Sequence, residues 1–483
     1  MGTVTISMSV GMDTMESQRV ETQEVKRPGF IVRAGSTEEV QEIVRLANQY
    51  KISTIPMGAL TSTYYETVPS QGCIMLDMSR MKSIEIDEEL MTVTFEPGVT
   101  WAQAYRDLAV KGYWVSAQAS PGSVSILGTV SQAGMHLPLN KLAVPPLNTS
   151  YYSDLTLGLE VVLPTGELLI TGSAALPGAK PQTHRAYGPA LGHIFLGAQG
   201  TLGIITKQTL PLWRIPEAHV FVQGNFELEN FKGLANAMHK IVYDQFKGGP
   251  IWAEGIWAIY DGTGKTFEWE FYVQIFGNKE FVDFYQKFSE KIILEESGKI
   301  ITPPRMLDVE TDYSPQMYEE LIYWRPRANA ICTPPPDIAF DLFGIGGTAT
   351  HDKLPEIHDA ALRLFAKHGI TKDKIRKGMS MMSSRSGNSS MVMFSWLYNR
   401  DDPEEVKRAK DIREEWGPIL NQILEGEQLA GFLGGLPYRL TPAAAKTELP
   451  KMGEYYKLLV TLKRTLDPNR IMNPGKFMDI EPY

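Results

Sequence analysis

Residues 55–81 read IPMGALTSTYYETVPSQGCIMLDMSRM, and this stretch constrains the fold more than any other. A strand-like apolar start at Ile55 runs into a turn of small residues around Gly58 and Ala59. A second apolar strand follows from Cys73 to Leu76. Successive backbone N–H groups in such a turn can converge on an anion. After Gly58 no glycine occurs until Gly72, and the adjacent Tyr64 and Tyr65 stand where glycine would be easier. The tyrosines need a reason of their own.

The flanking segments repeat the theme of short strands and capped helices. FIVRAG from Phe30 reads as a strand. STEEVQEIVRLANQYK then places Ser36 as N-cap and Glu39 three residues on, with Val40, Ile43, Val44 and Ala47 on one helical face. GCIMLDMS, KSIEID and MTVTFEPG continue as strands, and Thr100 and Gly112 bracket the helix TWAQAYRDLAVKG. LTLGLEVVLPTGELLITG reads as a hairpin about Pro164-Thr165-Gly166, and LGIITKQTLPLW as a further strand. The expected class is α+β, in short strands rather than long βαβ units. Beyond Pro216 the chain becomes richer in Trp, Phe and Tyr, which sets the expected division. Residues 1–25 form a polar, Met-rich leader, 26–216 a first domain, 217–440 a second, and 441–483 a C-terminal segment.

Composition excludes several functions. The 483 residues carry a net charge of −9 with a pI of about 5.6, which argues against nucleic acid or an anionic membrane as partner. Cys73 and Cys332 are too far apart for a CxxC metal site. The eight histidines show no HxxxH or HxH spacing, so no metal is expected. The opening MGTVTISMSVGMDTMESQ has no basic n-region and no long apolar stretch, and Ile6 breaks the myristoylation pattern. A cytoplasmic enzyme is the default. DGTGKT at 261–266 falls short of a P-loop because Ile259 stands where the first glycine belongs. GIGG at 344–347 lacks the final glycine of a dinucleotide fingerprint.

Four ordered segments carry a resemblance: IPMGALTS before IMLDMSRM; FEPGVTWAQAYRDL; SPGSVSILGTVSQAG followed by DLTLGLEVVLPTGELLITG; and AYGPALGHIFLGAQGTLGIITK. With the terminal LDPNRIMNPGKF, they resemble the flavoprotein family of vanillyl-alcohol oxidase and p-cresol methylhydroxylase over roughly residues 28–478. The resemblance implies a two-part FAD domain with an inserted α+β cap over the flavin ring. In that frame Pro56, Met57, Gly58, Ala59, Leu60 and Thr61 face the pyrophosphate. Ser120, Gly122, Ser123, Leu127, Gly128 and Ser131 form a second wall, and the backbone of Gly203, Ile204 and Ile205 edges the flavin or adenine.

The family has branches. The branch oxidising 2-hydroxy acids usually carries histidines where this chain has Ser390 and LAGFLGGLPYRL. The phenol branch is similar to this chain in YGPALGHIF, SWLYNRDDPEE and Tyr438-Arg439. There a Tyr-Arg pair and a tyrosine of the first turn hold a phenolate oxygen. Counting back from Pro69 gives Tyr64 as that tyrosine, with Tyr65 one residue away. An anionic phenol oxygen makes the benzylic hydride easier to lose, and two hydroxyls with a guanidinium stabilise that anion. The implied substrate is a para-substituted phenol or phenolic aryl alcohol. A D-2-hydroxy acid, or a flavin subunit of an electron-transfer complex, is the alternative. The acceptor is oxygen or a separate redox protein, with a homo-oligomer left open.

Two departures qualify the resemblance. The family's acid near the flavin falls at Ser120, leaving Glu254 and Asp341 as substitutes. The late cap strand NSSMVMFSW offers no His or Tyr at the expected linking place, so FAD is expected to bind non-covalently; nothing motivates His136 or His184 as a linker. Trp252, Trp257, Tyr260, Tyr272 and Trp324 are candidates for an aryl pocket, though core packing accounts for most such residues.

Overall fold

The protein is described from a computed structural model. It covers residues 27–59, 67–69, 72–115, 124–131, 155–215, 217–246, 254–260, 268–302, 339–340, 345–382, 389–399, 401–424, 445–446 and 449–478.

The first strands are β1 (Phe30–Arg33), β2 (Ser53–Met57) and β3 (Cys73–Asp77). They form a parallel sheet in the order β1-β3-β2. The crossover from β1 to β2 is helix α1 (Thr37–Tyr50). Its cap forms as the sequence implies: Ser36 Oγ accepts from the Glu39 N–H at 3.3 Å. Glu39 returns to the N–H of Gly35 rather than of Ser36, at 2.7 Å. Lys51 ends the helix at φ 54°.

A five-stranded antiparallel sheet follows. It contains β4 (Ile84–Asp87), β5 (Thr92–Phe95), β7 (Gly158–Val162), β8 (Leu168–Ile170) and β9 (Ile204–Pro211), in the order β4-β5-β9-β7-β8. The β7–β8 hairpin closes where Gly166 takes φ 83°. Strands β6 (Tyr113–Trp114) and β10 (Trp213–Arg214) pair with each other. Helix α2 (Trp101–Ala109) is capped by Thr100, and the short α3 spans Ile126–Ser131. Trp101, Tyr105, Leu108 and Trp114 are buried with Phe95, Leu159 and Phe195 in one core.

Between Ala218 and Tyr398 lies an eight-stranded sheet. Its strands are β11 (Ala218–Glu227), β12 (Glu254–Tyr260), β13 (Glu268–Gly277), β14 (Lys299–Ile301), β15 (Ala339–Phe340), β16 (Ile345–Thr350), β17 (Ile375–Met382) and β18 (Ser389–Tyr398). The order is β14-β11-β13-β12-β17-β18-β15, with β16 also on β18. Four helices pack on it: α4 (Phe231–Phe246), α5 (Lys279–Glu295), α6 (Leu354–Lys367) and α7 (Pro403–Leu424). All four share one core with Val222, Phe226, Trp269, Phe271, Val273, Phe394 and Trp396, so they cover the same face. Burying each such side chain contributes about 1.5–3 kcal/mol. The Asp402 carboxylate accepts from the Glu404 N–H at 2.9 Å at the start of α7.

The chain then returns to its beginning. Helix α8 (Glu454–Leu466) is followed by a turn whose Ile471 and Met472 are buried beside Val40, Val44 and Leu76.

Candidate FAD and substrate site

The turn after β2 is held by close packing. A Cβ added to Gly58 would lie 3.0 Å from Ser125 Oγ and 3.1 Å from Ser125 Cβ. Ser125 sits just before α3, donates to the Pro97 carbonyl at 2.8 Å and accepts from the Gly128 N–H at 3.1 Å. A Cβ on Gly98 would stand 2.6 Å from the Met81 carbonyl oxygen. Three turns far apart in sequence thus meet where backbone, not side chains, makes the surface. The sequence reading singled out Ser120, Ser123 and Ser131 but passed over Ser125. The signal was present: a serine three residues before Gly128 is an N-cap pattern.

The Gln199-Gly200 turn closes on the same strand. Gln199 and Gly200 have φ 54° and 70°. A Cβ on Gly200 would meet Pro56 Cγ at 2.7 Å. Asn473 Nδ2 donates to the Gln199 carbonyl at 2.7 Å, and the Asn473 N–H to the Thr54 carbonyl at 3.0 Å. Beneath lies an ion pair in which Lys463 and Asp467 are both 0% exposed. Lys463 Nζ also donates to the carbonyls of Thr201 and Met472, each at 2.8 Å. Asp467 accepts the N–H groups of Ile471 and Met472 at 3.0 and 2.9 Å. This cluster fastens the C-terminal turn to the 199–201 turn.

The other expected cofactor residues take various places. Leu127 is buried in the core, so its side chain is committed to packing. Gly128 offers its N–H to Ser125, and Ser131 ends α3. Gly203 packs on β7, where an added Cβ would stand 2.8 Å from Val161 Cγ1. Ile204 and Ile205 are buried and pair with Val162 and Val161. The β5 ladder ends at Gln208, so it does not extend along 204–205. Leu60, Thr61, Tyr64, Tyr65, Ser120, Gly122, Ser123, His136, Trp252, Trp324, Asp341, Tyr438 and Arg439 lie outside the described residues.

These turns fit FAD. Gly58 and Gly128 allow close backbone approach, and Gln199 Nε2 is a buried donor with no partner among the described residues. Cys73 is buried, and its thiol is pushed up to about 11, which makes it a packing residue rather than a nucleophile.

The sheet face opposite α4–α7 carries a separate polar group. Directly opposed residues on antiparallel strands share a face. One rung runs Asn225–Glu270–Ile259–Met379–Met393 across five strands. The next runs Gln223–Tyr272–Trp257–Met381–Met391. Gln223, Asn225, Tyr272 and Met393 are 0, 1, 2 and 7% exposed, though Tyr272 and Met393 are absent from the helix-side core. Tyr272 Oη donates to Glu270 Oε2 at 2.7 Å. Gln223 Nε2 donates to Asn225 Oδ1, and Asn225 Nδ2 to Glu268 Oε2, each at 2.9 Å. Glu254 pairs with Ile275, a helix-side core residue, so its register position is on the opposite face from Glu270.

Comparison with known proteins gives these features a class. Residues 28–172 match the family described as an FAD binding domain. The mitochondrial cytochrome-type D-lactate dehydrogenase of Arabidopsis thaliana is 33% identical over 203 residues. That match spans 42% of this chain but only 33% of the plant protein's length. The flavoprotein subunit of 4-cresol dehydrogenase (hydroxylating) from Pseudomonas putida is 25% identical over 93% of this chain and 87% of its own. Among solved structures, 4-ethylphenol oxidase from Gulosibacter chungangensis covers 96% of this chain and 91% of its own, with a TM-score of 0.73 and 20% identity. p-Cresol methylhydroxylase covers 95% and 91%, with a TM-score of 0.66 and 21% identity.

The fold is therefore the α+β FAD-binding fold of p-cresol methylhydroxylase, and the cofactor is FAD. Residues 28–172 form an FAD binding domain, and the chain is similar along most of its length to FAD-dependent oxidoreductases of the p-cresol methylhydroxylase type.

Proposed function

We propose that the protein oxidises a para-substituted phenol or phenolic aryl alcohol by removing a benzylic hydride. The observation that carries this reading is the extent of similarity. The 4-cresol dehydrogenase subunit aligns along 93% of the chain, whereas the D-lactate dehydrogenase aligns along 42%. On this reading residues 26–216 and 441–483 hold FAD, and 217–440 form the cap that faces the substrate.

When bound, FAD supplies the two-electron acceptor for the hydride. The chain positions it through the turns at Pro56, Met57, Gly58, Ala59, Leu60 and Thr61, at Ser120–Ser131 and at Gly203–Ile205. Tyr64, Tyr438 and Arg439 hold the phenol oxygen as an anion. Loss of the hydride then leaves a neutral quinone methide, which takes up water or loses a proton; an alcohol substrate gives an aldehyde. The absence of His and Tyr at the expected place in NSSMVMFSW supports FAD bound without a covalent link. Electrons leave to oxygen or to a separate redox protein. Among the described residues no helix is long and apolar enough to cross a membrane.

The test is anaerobic mixing of the purified flavoprotein with 4-ethylphenol. Rapid bleaching of the flavin is expected, with the rate falling at least 100-fold in Tyr438→Phe plus Arg439→Ala, on the order of one lost anion-stabilising site. Reduction by D-lactate or glycolate, with none by any phenol, would favour the hydroxy-acid reading instead.

A further inference from the structure

We propose that residues 3–12 of this chain add a further strand to the outer edge of β1 and fill an apolar trough between that edge and helix α1.

The trough follows from where α1 sits over the sheet. β1 ends the order β1-β3-β2, and among the described residues only β3 pairs with it. Alternate residues of a strand share a face. Val32 packs against the core that holds Val40, Val44 and Ala47 of α1, so Phe30 is on the helix side too, and it is 65% exposed. One flank of α1 is held. Gln41 Nε2 donates to the Gly166 carbonyl at 2.9 Å, and Asn48 Oδ1 accepts from Asn469 Nδ2 at 2.8 Å. β2 lies toward that flank, because the Asn473 N–H donates to the Thr54 carbonyl at 3.0 Å. With about 3.6 residues per turn, the opposite flank carries Ile43, Leu46 and Tyr50. That flank therefore overhangs β1, and its Leu46 and Tyr50 are 53% and 65% exposed. A strand edge beside exposed apolar side chains invites pairing with another chain, and native proteins cover such edges.

The chain itself supplies the cover. The described residues begin at residue 27, just before β1. Ahead of them residues 3–12 read TVTISMSVGM, in which Val4, Ile6, Met8, Val10 and Met12 alternate with Thr, Ser or Gly. Such alternation gives a strand one apolar and one polar side. The apolar side matches the trough under α1. The opposite face of β1 carries Ile31 and Arg33 near solvent, the setting for the threonines and serines. Residues 13–29 join the segment to β1, more than the dozen or so residues that a parallel crossover needs, so the segment reaches the edge in either direction. A short tether also holds it near its own edge at about millimolar effective concentration, which favours it over the same segment of a second copy.

The test is hydrogen exchange of the full FAD-loaded protein, read by mass spectrometry. Amides of residues 4–12 are expected to exchange about 100-fold more slowly than in an unstructured peptide. Ile6→Glu plus Met8→Glu removes that protection, and so does Leu46→Glu in the trough, whereas Thr5→Glu plus Ser7→Glu keeps it. Leu46 is exposed, so its variant leaves the packed side of α1 in place, and unfolding midpoints check this. Unprotected amides in the wild type overturn the proposal. Protection that survives Leu46→Glu overturns it too, since the segment then docks elsewhere. Protection lost on dilution, with sedimentation showing dimers giving way to monomers, assigns the segment to a second copy and equally overturns it.

Discussion

At the residue scale, the strongest commitments are made by groups that the sequence hides. Lys463 and Asp467 stand i,i+4 at the end of the C-terminal helix, and both side chains are 0% exposed. Removing one partner strands the other charge in the interior. Lys463→Met is therefore expected to destabilise the fold by about 3–5 kcal/mol, read by urea unfolding. Gly58 was legible as a turn glycine, but the sequence could not show that Ser125 crowds it at 3.0 Å. Gly58→Val is expected to lower the FAD content of the purified protein at least tenfold, read from the flavin-to-protein absorbance ratio. Retention of full FAD would refute the placement of that turn. Ser125 itself was missed because its partner, the Pro97 carbonyl, is 28 residues away. Single-sequence reading sees caps and turns but not such long-range pairs.

At the scale of elements, most strands and helices were legible because their patterns are local. Ser36 and Thr100 cap helices where the sequence places them. Gly112 and Gly166 take positive φ where they end a helix and turn a hairpin. Register was not legible. Alternation alone puts Glu254 and Trp257 on opposite faces of β12, but only pairing shows that Glu270 shares a face with Trp257. Helix packing adds a pH dependence. His351 stacks on His239 with ring centroids 4.3 Å apart, and its Nε2 lies 3.3 Å from Asn236 Oδ1. Burial, then the neighbouring His239, push its pKa down to about 4, against smaller opposing effects of Asp352 and Glu296. A folded pKa below the unfolded value of about 6.5 means that the unfolded chain binds more protons between pH 6.5 and 4. The contribution is fully present above pH 6.5 and lost as pH falls through that window. The unfolding midpoint is expected to drop across it in the wild type and to drop less in His351→Gln.

At the scale of the whole molecule, ordered motifs carried the resemblance, and the fold and the FAD-binding domain agree with it. The proposed substrate residues rest on the resemblance alone, since Tyr64 is far in sequence from the adjacent Tyr438 and Arg439 and all three lie outside the described residues. Linkage of the flavin belongs to this scale too. Acid precipitation is expected to release all yellow colour into the supernatant, whereas colour retained in the pellet would mean a covalent bond. The central claim, a phenol rather than a hydroxy acid at the flavin, is tested most directly by anaerobic stopped-flow absorbance. The oxidised protein is mixed separately with 4-ethylphenol and with D-lactate. Flavin bleaching by 4-ethylphenol at a rate at least 100-fold above that with D-lactate is the predicted result. Bleaching by D-lactate at the faster rate would contradict it.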